Sequence, residues 1–196
     1  LECYFKGEKD LFKGLYIYDK ENERGDKAWT EYPVISFYLS SGRYKSPDGR
    51  ELTLDETLSE FEDRYGIKQG KYDLPNRVKR AIKGAYDQTN RGVVVLVDEY
   101  DKPLLETMYD NPEQEERNRD LYKAFFSALK DVDGYLRFVF FTGITKFTKV
   151  SIFSDLNQLT DISLANDFAG ICGITQDELV DNFQPEIRAL ADEQEI

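Results

Sequence analysis

The run Val93-Val94-Val95-Leu96-Val97, five apolar residues of which four are β-branched, is followed at once by Asp98 and Glu99. A strand with one wet face alternates apolar and polar residues, so an unbroken apolar run closed by acids belongs to a strand covered on both faces. Strands of that kind sit in parallel sheets, whose crossover helices supply the covers. This one segment therefore predicts an α/β fold.

The remaining pattern agrees with that expectation. Pro33-Val34-Ile35-Ser36-Phe37-Tyr38-Leu39 and Tyr135-Leu136-Arg137-Phe138-Val139-Phe140-Phe141 read as two more strands, the second buried like the first. The three are expected to lie parallel in one sheet, because a crossover between parallel strands is nearly always right-handed. Between them lie helical periods. Thr53 with Glu56 reads as a capping box before Leu54, Leu58 and Phe61, in a helix ending near Gly66. Asp73 and Pro75 open a second helix carrying Val78, Ala81, Ile82 and Ala85 and closed by Thr89-Asn90. Glu113 to Lys130 reads as a long helix with an acid-rich first turn, as the helix dipole favours. Thr175 and Glu178 box a last helical segment over 175–196, which Pro185 interrupts, and Leu159 to Leu164 reads as a further strand. The first twenty residues read as a helix end, a break at Lys6-Gly7 and a packed connector. With no linker or repeat in 196 residues, one domain over 1–196 is expected.

Composition narrows the chemistry. Histidine is absent, which removes imidazole bases, Ser-His and Cys-His nucleophiles and the commonest zinc sites, and leaves oxygen ligation, hence Mg²⁺, for any metal. Lys and Arg number 26 against 38 Asp and Glu, a net charge of −12 that disfavours nucleic acid and anionic membranes as partners of this segment. No apolar run approaches a membrane span. Cys3 and Cys172 stand far apart without CxxC spacing, which fits two unpaired thiols in a cytoplasmic protein. A start at Leu1 and a helical pattern running to Ile196 suggest a piece of a longer chain.

The residues that point to a reaction sit at strand tips. In an α/β sheet ligands bind beyond the carboxyl ends of the strands, where Asp98 and Glu99 stand. An apolar strand closing in Asp-Glu is the pattern of a Walker B segment, whose Asp holds Mg²⁺ through water and whose Glu orients or deprotonates the attacking water. Because strand side chains alternate, one acid serves the metal while the other faces the γ-phosphate. A strand end with a solvated acidic turn has the same letters. Thr142, directly after the third strand, takes the position of a γ-phosphate sensor, or of a hydroxyl bonded to its own backbone. Lys146 and Lys149 read as phosphate contacts or as solvated loop lysines. The phosphate loop GxxxxGK[ST] is not found: Gly66-Ile67-Lys68-Gln69-Gly70-Lys71-Tyr72 has one residue too few between its glycines and follows a helix. The segment is therefore expected to bind ATP weakly or not at all by itself.

Four runs in chain order resemble the bacterial AAA-ATPase-like family: Leu11-Phe12-Lys13-Gly14-Leu15-Tyr16-Ile17, Val97-Asp98-Glu99-Tyr100-Asp101-Lys102-Pro103-Leu104, Phe140-Phe141-Thr142-Gly143-Ile144-Thr145-Lys146-Phe147, and Ser151-Ile152-Phe153-Ser154-Asp155-Leu156-Asn157. The resemblance implies a P-loop NTPase fold of the additional-strand type, seen here without its first strand and Walker A loop. It implies ATP and Mg²⁺ as cofactors, Asp98 as the metal acid, Glu99 as the catalytic acid and Thr142 as the sensor. It also implies a PD-(D/E)XK nuclease-like domain downstream in the same polypeptide, and homo-oligomers are compatible with it. Asp101 and Lys102 belong to the family pattern without a derivable role.

Two readings follow. One is an ATP-hydrolysing regulatory module holding the Walker B and sensor half of its site. The other is an interaction or scaffold domain that keeps the fold without turnover. Nuclease chemistry in this segment is disfavoured, since Tyr100 stands where a (D/E)xK motif ending at Lys102 needs an acid.

Overall fold

The computed structural model describes residues 1–41, 49–107, 112–144, 159–171 and 174–194. The chain forms two compact units, Leu1–Asn157 and Gln158–Ile196.

The first unit is built on a three-stranded parallel sheet: β1 (Val34–Tyr38), β2 (Val93–Asp98) and β3 (Leu136–Phe141), in that spatial order. The α/β class and the three parallel strands match expectation. Val34 pairs with Val94 and Tyr38 with Asp98, while Val97 pairs with Phe141, so all three strands end on one edge. Val93, Val94, Val95 and Val97 are buried, as an apolar central strand must be. Gly92 leads into β2 where the chain passes so close to β3 that a Cβ would lie 2.9 Å from the Arg137 nitrogen.

Eight α-helices are found among the described residues: α1 (Glu2–Phe5), α2 (Tyr16–Asn22), α3 (Gly49–Arg64), α4 (Leu74–Thr89), α5 (Lys102–Leu105), α6 (Pro112–Asp131), α7 (Gln176–Asn182) and α8 (Gln184–Gln194). α4 has both expected ends: the Asp73 carboxylate accepts from the Asn76 N–H at 3.0 Å, and Asn90 closes it in the left-handed conformation at φ 51°. α4 and α6 pack together against the sheet. Phe125 of α6 meets Phe37 of β1 edge-on at 5.1 Å, and Phe126 meets Phe141 of β3 at 5.2 Å. Leu54, Leu58 and Phe61 of α3 and Val78, Ala81, Ile82 and Ala85 of α4 complete the core.

α1 lies over the opposite face of the sheet. Glu2 accepts from the Ser36 hydroxyl at 2.9 Å and from the Tyr38 hydroxyl, and Phe5 packs on Phe138 with centroids 5.4 Å apart. Farther along, buried Glu21 accepts from Tyr4, Arg24 and the Trp29 N–H, which compensates the burial of its charge.

Several local expectations are corrected. α3 begins at Gly49, so Thr53 lies a turn inside the helix, where its carbonyl accepts from Thr57 at 3.1 Å. A Thr-x-x-Glu pattern also arises within helices, and an earlier start removes its capping role. β3 is not buried like β2: Arg137 and Phe138 are exposed, because no described strand pairs with its far side and α1 covers its outer face only in part. In the second unit the Thr175–Glu178 capping box is present as expected. Pro185 sits in the first turn of the eleven-residue α8, where its missing N–H costs nothing, so it opens a helix and does not merely end one. The described residues of 159–164 form no strand; a turn follows instead, with the Asp161 carboxylate accepting from the Ser163 N–H at 3.0 Å. Among the described residues, no helix is long and apolar enough to cross a membrane.

Candidate functional site

β2 holds its extended form through Asp98, whose side chain is exposed at the strand tip. Strand alternation stops there. Glu99 turns into the left-handed region at φ 53°, a conformation that costs a residue with a Cβ about 1 kcal/mol or more. The two acids are thus separated by a backbone turn at the tip, and not only by the alternation that their adjacency suggests. Glu99 is half-buried beside Asp98.

Thr142 comes to the same point from β3. Its N–H donates to the Val97 carbonyl at 2.9 Å, which carries the ladder one step past the strand. Its hydroxyl donates to an Asp98 carboxylate oxygen and receives the Glu99 N–H at 3.3 Å. One side chain therefore touches both acids of the β2 tip. The Thr142 carbonyl in turn accepts the Tyr100 N–H at 2.9 Å, and the Asp101 carboxylate accepts the Ile144 N–H at 2.9 Å. Five hydrogen bonds thus tie the end of β2 and the turn after it to the segment leaving β3.

Of the residues expected from the sequence, Asp98, Glu99 and Thr142 are brought together. Lys146, with Thr145 and Lys149, lies outside the described residues, as does Cys172. Lys102 reaches Glu106, the residue that follows α5, at 3.6 Å, an ion pair that suffices to explain its place on the helix.

Three neighbours were not legible as site residues. Tyr38 stands beside Asp98 in the strand register, so both present their side chains on one face of the sheet. Its hydroxyl donates to Glu2, and that bond, with burial, pushes the phenol above its ordinary range. Burial alone pushes the Glu2 carboxyl up, but hydrogen bonds from Lys6, Tyr38 and Ser36 outweigh it and hold the group down at about 2. Glu2 is thereby a fixed anion beneath the sheet's edge. Asp101 is the third: it is 1% exposed, unusual for an acid two residues beyond a surface turn. Its burial was the missing signal, and burial is not written in the Asp-Glu-Tyr-Asp run.

Among the described residues no cluster of three or more His, Cys, Asp or Glu could enclose a metal ion. What the tip offers is one exposed carboxylate with a hydroxyl on it, an oxygen donor set suited to a hard cation that keeps its waters and takes further ligands from a phosphate.

A family described as "AAA-ATPase_like: Predicted AAA-ATPase" matches residues 1–153. An "Uncharacterized protein in vnfD 5'region" of Azotobacter chroococcum mcd 1 is 34% identical over 187 residues, which are 95% of this chain and 35% of that protein. The chain thus spans about a third of the length of the curated relative it matches. No solved structure matches.

Proposed function

This chain belongs to the AAA-ATPase-like family, and from that premise we propose that it is an ATP-binding and ATP-hydrolysing regulatory module, holding the Walker B and sensor half of the nucleotide site. The observation that carries the reading is the meeting of Asp98, Glu99 and Thr142 at the carboxyl edge of a parallel sheet. In this reading Asp98 takes the cation through water. Glu99 accepts a proton from the water that attacks the γ-phosphorus, and the β–γ bridging oxygen departs with ADP. Thr142 holds the Asp98 carboxylate in place and reports on the γ-phosphate side, with Lys146 as a phosphate contact. Mg²⁺, when bound with ATP, neutralises charge on the phosphate oxygens. The exposed Asp98 supports that role, since Mg²⁺ is usually held by one or two carboxylates plus phosphates and not by a protein cage. The length of the relative leaves room for the rest of the site and for a nuclease-like domain in the same polypeptide.

The test compares the two acids in the full-length protein. Glu99→Gln is expected to lower single-turnover hydrolysis by about 100-fold or more while leaving ATP affinity unchanged, because the amide keeps the shape and cannot take the proton. Asp98→Asn is expected to weaken Mg²⁺-ATP binding by about tenfold. Wild-type turnover in Glu99→Gln overturns the reading, and a wild-type protein without hydrolysis moves the weight to a scaffold domain of the same fold.

A further inference from the structure

The ties between the β2 and β3 loops raise the question of what holds the Thr142 loop in place. Apolar burial does not: the Ile144 side chain is 82% exposed. Its backbone is nonetheless fixed, through its N–H, by the buried Asp101 carboxylate at 2.9 Å. The approach is close enough that a Cβ on Gly143 would lie 2.6 Å from a Tyr100 ring carbon and 2.8 Å from an Asp101 carboxylate oxygen. Since Asp101 is 1% exposed, it has little room to yield.

Asp101 is itself anchored from below. Its carbonyl caps the start of α5, accepting from the Leu104 and Leu105 N–H groups at 3.0 Å. α5 is bound to α6 by Asn118, fully buried, which donates to the Pro103 carbonyl at 3.0 Å and to the Thr107 hydroxyl at 3.1 Å. A continuous set of hydrogen bonds therefore runs from the α6 core through α5 and Asp101 to Ile144, next door but one to Thr142.

We propose that Asp101 is a positioning residue: its carboxylate holds the β3 loop against the β2 turn, keeps the Thr142 hydroxyl on Asp98, and requires glycine at 143. The proposal rests on the functional reading above for its effect on rate, while its structural half stands apart from that reading. The carboxylate that holds the Ile144 N–H is buried, and the backbone it fixes lies two residues from Thr142, whose hydroxyl binds the Asp98 carboxylate and the Glu99 N–H.

The test has two arms. In the first, amide hydrogen exchange is measured at Ile144 and at Val94 and Val95 as core references. Asp101→Ala is expected to speed exchange at Ile144 by about tenfold or more with the references unchanged, and Asp101→Asn, which keeps an acceptor oxygen, to restore most of the protection. In the second, ATP hydrolysis is measured in the full-length protein. Asp101→Ala and Gly143→Ala are each expected to lower kcat by about tenfold or more with KM for ATP within about threefold, and Asp101→Asn to recover the larger part of that loss. Unchanged Ile144 exchange in Asp101→Ala overturns the proposal, as does wild-type kcat in that variant, or a fall in rate that Asn does not relieve and that tracks lost thermal stability. If the wild type hydrolyses no ATP, the functional reading falls, and the exchange arm alone decides whether Asp101 holds the loop.

Discussion

Thr142 and Asp98, 44 positions apart in the chain, are joined by a hydrogen bond from the threonine hydroxyl to the aspartate carboxylate across the tips of β3 and β2. The same hydroxyl receives the Glu99 N–H, so it orders the carboxylate and the turn together. Thr142→Val keeps the shape and removes both bonds. Hydrolysis by the full-length protein is expected to fall about tenfold or more, with stability changed by about 1 kcal/mol because the site is half-exposed, and Thr142→Ser to retain most of the rate. Single-turnover hydrolysis alongside thermal unfolding checks this; a Val variant with wild-type rate would remove Thr142 from the site.

The turn at Glu99 gives a second expectation. At φ 53° every residue with a Cβ is strained and glycine is not. Glu99→Gly and Glu99→Ala both lose the carboxylate, so both are expected to lack hydrolysis, yet the glycine variant is expected to be more stable by about 1 kcal/mol. Urea unfolding of the two proteins reads the difference, and equal midpoints would show that the left-handed turn is not kept in solution.

Between α3 and α4, Arg77 grips Glu62 with two nitrogens at 3.0 and 2.7 Å, donates to Ser59 at 2.7 Å, and pairs with Asp55. Burial pushes the Glu62 carboxyl up, with the neighbouring Asp63 charge adding to it, and pushes the Arg77 guanidinium down. Removing one partner strands a charge. Arg77→Leu is expected to cost about 3 kcal/mol, and the double variant Arg77→Leu/Glu62→Leu to recover at least half, since an apolar pair of similar size leaves nothing uncompensated. Denaturant midpoints of the single and double variants decide it.

Glu2 ties acid stability to the site's underside. Its carboxyl is lowered from the ordinary 4.5 to about 2. A depressed folded-state value contributes stability that is full above the unfolded value and is lost as pH falls toward the folded one, so the window is pH 4.5 down to 2. The whole shift corresponds to about 3 kcal/mol, which solvent screening of this part-exposed group reduces to about 1–2 kcal/mol. Glu2→Gln is expected to be less stable than wild type at pH 6 and to approach it by pH 2.5. A constant gap across that range would exclude Glu2 as the titrating group.

Much of this fold is readable in short stretches of sequence. The β-branched run Val93–Val97 has few alternatives to a buried strand, and Asp73, Pro75 and Asn90 bracket α4 because capping needs only residues within a turn of the helix end. The acids are legible for the same reason: an apolar strand ending in Asp98-Glu99 puts charge at a sheet edge whatever its neighbours are. Where local patterns are ambiguous the reading fails, as at Thr53, which sits inside a helix begun at Gly49, and at Leu159–Leu164, where a short run with three apolar residues forms no strand.

The sequence by itself determined the three sheet strands, the α4 helix with its two ends, and that two acids stand at the end of the central strand, because those preferences are settled by φ/ψ sterics and burial over five to fifteen residues. Only the tertiary structure decided what the acids touch. Thr142 reaches Asp98 because parallel registry aligns Val97 with Phe141, and the buried Asp101 meets the β3 loop through the Ile144 N–H. Neither is a local property. A hydrogen bond spanning more than forty residues depends on strand order, register and one left-handed turn at Glu99, and each of these is set by how the whole sheet packs on α4 and α6.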